Sequence, residues 1–160
     1  MTRQSSSHDP NYQAMAEFRY QIRRFLRFSE DAARQADLEP QQYLMMLTLK
    51  GLPEGARSRI GEVAERLKIR HHSTVELADR LAARGFIKRR RGESDRREVL
   101  LELTPKGDRL LRQLALHHRD MLRDSAPELV GALRKLVEIC SSHPARGASR
   151  GRNGTRGKRA

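Results

Sequence analysis

The chain has 160 residues, with 33 Lys or Arg against 20 Asp or Glu and a formal charge of +13. That length suits about one domain with a real core, and the charge points away from an ordinary near-neutral enzyme and toward a polyanionic partner, nucleic acid ahead of an anionic membrane surface. A single cysteine, Cys140, excludes an internal disulfide framework and a multi-cysteine zinc site. The longest apolar run is Leu44 to Leu47, far short of the roughly 20 residues that cross a bilayer. Residues 1–10 are polar where a signal peptide would be apolar. A soluble, cytoplasmic protein is therefore expected, with no membrane partner.

Residues 1–10 read as a loose N-terminus. Over 13–34, Met15, Phe18, Ile22, Phe25 and Leu26 recur at helical spacing, with Arg19, Arg23, Arg24 and Arg27 elsewhere on the wheel. Pro40 suits a first helical position, and a short helix over 41–50 ends at Gly51 and Pro53. Ser58 is placed to cap a third helix over 59–67, with Ile60, Val63, Ala64 and Leu67 inward.

Residues 69–72 read as a turn. Ser73 and Glu76 form an S-x-x-E capping box, which opens a helix over 73–84 that Gly85 stops. Thr74, Leu77, Ala78 and Leu81 share its inward face, leaving His72, Val75, Glu76 and Asp79 opposite. Two short strands, 86–90 and 98–103, flank the turn-forming Gly92-Glu93-Ser94-Asp95 and predict a β-hairpin. Thr104 and Pro105 start a long helix; Ser125 and Pro127 are expected to end it and open a last one. Residues 143–160 hold six basic residues, no acid and four glycines, and predict a disordered basic tail.

The order helix, helix, short link, helix, basic hairpin over about 41–104 is that of a winged helix-turn-helix. An α-helix fits the major groove, with its N-terminal residues nearest the base edges. Residues 57–106 carry 14 basic and 8 acidic side chains, nearly all the charge left once the tail is set aside. The fold class is mainly α with a small β-hairpin wing.

The run from Gly92 through Asp95-Arg96-Arg97 and Val99-Leu100-Leu101-Glu102-Leu103-Thr104-Pro105 to Gly107 resembles the wing of the MarR family of bacterial transcription regulators. It holds the family's D-x-R at Asp95 and Arg97 and its L-T-x-x-G. The stretches from Ile60 to Leu67 and from Asp79 to Ile87 are similar to the family's third helix and the end of its recognition helix. The resemblance implies a domain over 11–142, with dimerisation helices at about 11–36 and 105–141 flanking the head. It further implies a homodimer on a pseudo-palindromic operator in double-stranded DNA, acting as a repressor released by a small aromatic or phenolic effector. Arg97 would enter the minor groove, Asp95 would hold it, and Arg96 would neighbour the backbone.

On the recognition helix His72, Ser73, Val75 and Glu76 are the candidate groove residues, with Ser73 equally claimed by its cap and Val75 suited to a thymine methyl. Arg70, Arg80, Arg84, Lys88, Arg89, Arg90 and Arg91 are candidate phosphate contacts, which set register without reading sequence. The basic strand residues also have a plainer reading, a solvated edge, which their place beside the recognition helix puts second. Phe18, Tyr20, Tyr43 and Met46 are candidates for an effector pocket or plain core. His117 and His118 read as packing ahead of ligands, and Cys140 as a packed or surface thiol. No catalytic motif, metal site or cofactor is expected. The competing class is a nonspecific or architectural nucleic-acid-binding protein without an effector.

Overall fold

A computed structural model describes residues 9–92 and 98–142. Helix α1 (Pro10–Gln35) starts at Asp9, whose carboxylate accepts the Asn11 amide at 2.9 Å, with Pro10 at the first helical position. Asp37, at φ 56°, turns the chain into α2 (Pro40–Lys50). There Glu39 and Gln42 form a reciprocal capping box, the Glu39 amide donating to Gln42 Oε1 at 3.1 Å.

Helix α3 (Ile60–Leu67) is not capped by Ser58 as the sequence predicts; its N-cap is Arg59, with no side-chain cap bond. The reason is that residues 58 and 59 run extended beside the wing. The Ser58 carbonyl accepts the Leu101 amide at 3.0 Å, and Arg59 bridges to Leu100. Lys68, at φ 54°, ends α3.

Helix α4 (His71–Ala83) begins two residues earlier than expected, with Arg70 as N-cap. The Thr74 amide and hydroxyl both donate to the Arg70 carbonyl, at 3.0 and 3.1 Å. Ser73 consequently lies inside the first turn, and its capping box is not formed. At the other end Gly85 (φ 70°) allows the Phe86 amide to donate back to the Leu81 carbonyl, the left-handed stop that glycine takes without strain.

Strands β1 (Ile87–Arg91) and β2 (Val99–Leu103) pair antiparallel, Ile87 opposite Leu103 and Arg91 opposite Val99. The Thr104 hydroxyl donates to the Gly85 carbonyl at 2.7 Å and accepts the Gly107 amide at 3.1 Å, capping α5 (Pro105–Ser142) while fastening it to the head. A Cβ on Gly107 would fall inside the Phe86 carbonyl, so helix and strand touch backbone to backbone.

Helix α5 is one 38-residue element, not the two helices the sequence suggests. Ser125 and Pro127 mimic a cap followed by a first position, yet the Ser125 hydroxyl donates back to the Met121 carbonyl at 3.0 Å and Pro127 sits inside the helix. Packing along α1 outweighs the roughly 3 kcal/mol that an interior proline costs.

The core joins α2, α3, α4 and the hairpin. Met45, Met46, Val63, Leu77, Leu81 and Leu101 are buried in it, with Ala33 and Leu38 from α1's end and Leu111 and Leu114 from α5. As the helical spacing predicts, Thr74, Leu77, Ala78 and Leu81 form the inward face of α4. Burying each such leucine contributes about 2 kcal/mol.

Candidate nucleic-acid interface

The start of α4 projects a mixed polar surface. His71, His72 and Glu76 are exposed, and Ser73 and Val75 are half-buried. The inward Thr74, Leu77, Ala78 and Leu81 fix the helix's rotation, so these outer residues are presented on a rigid support. His72, Ser73, Val75 and Glu76 are thus brought together on the first two turns.

Strand β1 lies beside this helix, and its alternation divides the basic run. Lys88 and Arg90 share one face and one acid, Glu102, at 3.3 and 2.5 Å. These two cations hold the Glu102 carboxyl below the usual carboxylate range, the Arg90 hydrogen bond most strongly, against the opposing effect of burial. Arg89 on the other face reaches Asp79 of α4 at 2.6 Å, tying the wing to the helix. Among the described residues Arg91, like Arg70, has no acid against it. With one carboxylate shared between Lys88 and Arg90, the strand keeps a positive excess that a bare count of its cations overstates.

Two of the expected phosphate contacts are engaged elsewhere. Arg84 donates to the Asp37 carbonyl at 2.5 Å and pairs with its carboxylate at 2.7 Å, while its guanidinium covers the Phe86 ring at 4.9 Å. Arg80 lies 3.4 Å from Glu39. Both brace the C-terminal half of α4 against the α1–α2 corner. Asp95, Arg96 and Arg97 lie outside the described residues.

The hairpin root holds a cluster that the sequence reading did not single out. Glu98 pairs with Arg57 at 2.8 Å and with Arg59, its own side chain only 6% exposed. Burial acts to raise its carboxyl, but the two guanidiniums prevail and hold it below the ordinary range. Only the charge signs were available as a signal, since the partners are some forty residues apart in the chain.

Residues 36–98 match the MarR family model. Over 75 residues the chain is 33% identical to an HTH-type transcriptional regulator of Bacillus subtilis, YfiV; the match covers 47% of this chain and 44% of that protein. The solved structure of AbsC from Streptomyces coelicolor, a MarR family transcriptional regulator, superposes with a TM-score of 0.63 at 22% identity, covering 89% of this chain and all of that one. A MepR mutant of S. aureus solved bound to an oligodeoxyribonucleotide has the same fold, with a TM-score of 0.57 at 18% identity, covering 78% of this chain and 94% of that one. The chain spans about half the length of the curated relatives it matches. The MarR match runs from the α1–α2 corner to Glu98, the wing root, and leaves all of α1, β2 and α5 outside it.

The expected effector residues do not share one cavity. Tyr43 and Met46 are buried in the head core, Tyr20 is 60% exposed on α1, and Phe18 lines a space of about 340 Å³ with Met15, Arg19, Ile22 and Leu136. Tyr43 stacks on His118 with ring centroids 4.8 Å apart. His118 Nδ1 lies 2.7 Å from the Leu114 carbonyl, which only accepts, and 3.3 Å from the Tyr43 hydroxyl; the ring therefore carries its proton on Nδ1. Burial pushes the Tyr43 phenol up from its ordinary value. His117 stacks on Phe28 at 5.1 Å. The histidine pair thus packs α5 against α1 and α2, and Cys140 is an exposed thiol.

Proposed function

We propose that this protein is a MarR-family, sequence-specific transcriptional regulator that binds double-stranded DNA as a cytoplasmic homodimer, and that it is a repressor released by a small aromatic or phenolic effector. The observation that carries the reading is the exposed polar start of α4 beside a basic strand tied to it by Arg89 and Asp79. A helix so placed has the shape and chemistry of a major-groove reader, with His72, Ser73, Val75 and Glu76 toward base edges and Arg70 and Arg91 toward phosphates. Asp95, Arg96 and Arg97 are assigned to the wing contact from the sequence resemblance.

Homodimerisation is supported by apolar side chains left uncovered on the α1–α5 pair, among them Met15, Val130, Leu133 and Val137. Two heads would then meet successive major grooves about 34 Å apart. An effector acts only by binding one dimer geometry better than another. A space of about 290 Å³ between α1 and α5, lined by Phe25, Phe28 and Met121 with Arg24, Asp124 and Ser125, has room for a small aromatic ligand such as a phenol.

Selection of bound genomic fragments by the purified protein, with and without phenolic ligands, tests the whole reading. Inverted repeats are expected; uniform recovery of all sequences would support nonspecific binding instead. Arg97→Ala should weaken binding to every duplex and lower the salt slope by about 0.9, the value of one phosphate contact. An unchanged titration removes Arg97 from the interface.

A further inference from the structure

We propose that Glu98 is a positioning residue for the wing: by holding Arg57 and Arg59 against the hairpin root, it fixes the angle at which the strands leave the head, and so sets duplex affinity without touching DNA. The inference rests on the DNA-binding reading above. An isolated two-stranded hairpin is marginally stable in water, so a wing needs more than its own ladder to keep a direction.

Here the second anchor is the linker before α3. The Leu101 amide donates to the Ser58 carbonyl at 3.0 Å, and Arg59 forms an isolated antiparallel bridge with Leu100, so the linker is fastened to β2 at this one point. Glu98 closes this seam. One carboxylate oxygen takes Arg57 and the other takes Arg59, while the Glu98 carbonyl accepts the Gly92 amide at 2.9 Å across the hairpin. The carboxylate is almost fully enclosed while both arginines stay about half exposed. An enclosed carboxylate bonded by two guanidiniums is a fixed point; an exposed pair would contribute little order. The linker belongs to α3, and α3 packs on α4, so the angle of the wing is referred to the recognition helix itself.

The opposite role, a plain offset of local positive charge, predicts the reverse sign on substitution. Glu98→Gln removes a negative charge. If Glu98 only offsets charge, both the selected operator and a random duplex bind tighter, with a salt slope steeper by about 0.9; that outcome overturns the proposal. If Glu98 positions the wing, operator affinity falls about tenfold while random duplex binds as well as before or better.

Hydrogen exchange at the Leu101 amide, measured on the full chain without DNA, reads the seam directly. Exchange should speed at least tenfold in Glu98→Gln, and unchanged exchange overturns the proposal. If the wild type shows no duplex preference, the functional reading fails while the exchange arm still decides the role of Glu98. Should Glu98→Gln not fold, Glu98→Asp gives the same readout: it keeps the charge but is one methylene shorter. A roughly threefold loss of operator affinity with faster Leu101 exchange is expected there, and wild-type values in both overturn the proposal.

Discussion

In the winged head, apolar side chains from α2, α3, α4 and both strands close over one another, and Met45, Met46, Val63 and Leu81 are wholly inaccessible. In the α1–α5 pair, by contrast, Val130, Leu133 and Val137 form one stripe along α5 that is about half exposed, and Met15, Tyr12 and Tyr20 stand out from α1. A folded unit that satisfies its own core needs no partner, whereas an open apolar stripe is the kind of surface that a partner covers, as in the homodimer proposed above. The difference supports the proposed division, stability in the head and assembly in the long helices, and each half of that proposal can be attacked separately.

The largest effect belongs to the closed half. Leu81→Ala should cost about 2–5 kcal/mol in urea unfolding, as full burial without room to relax dictates, and a loss under about 1 kcal/mol would show the head is not the close-packed unit described. Next, Leu133→Arg with Val137→Arg should leave the head's unfolding transition nearly unchanged while weakening self-association at least a hundredfold by sedimentation. A dimer that survives those two charges would place its interface elsewhere. Removal of residues 145–160 should flatten the salt dependence of random-duplex binding by up to about 5 in slope, one contact per basic residue, with assembly untouched. The smallest effect is at the junction of the two halves: Tyr43→Phe loses one hydroxyl contact to His118 and should cost about 1 kcal/mol, leaving assembly and duplex choice as they were.

Legibility in the sequence followed the range of the interaction. The inward face of α4 was readable because Thr74, Leu77, Ala78 and Leu81 repeat with the helical period, which demands no knowledge of the partner surface. The Thr104 cap and the Gly85 stop were readable for the same reason, each being a local geometric need. Ser58 and Ser125 were misread because each has the local chemistry of a cap while a distant strand or the packing of a long helix determines the backbone around it; Ser73 was misread because the Thr74 bonds to the Arg70 carbonyl start α4 two residues earlier. The candidate site divided likewise. The outward residues of α4 followed from the wheel, whereas the tasks of Arg84 and Glu98 depend on Asp37, Arg57 and Arg59, which only the folded chain brings near.

Gly107 lies backbone against backbone on Phe86, and Thr104 ties both Gly85 and Phe86 to the first turn of α5. With no side chain interposed, the joint has no soft layer to absorb rotation. The 38 residues of α5, at 1.5 Å per residue, make an arm of about 57 Å. A rotation of about 5° at this joint would sweep its far end through about 5 Å. Read in the other direction, a displacement of several ångströms where the helix ends arrives at the wing as a few degrees of tilt, so the geometry is that of a reducing lever.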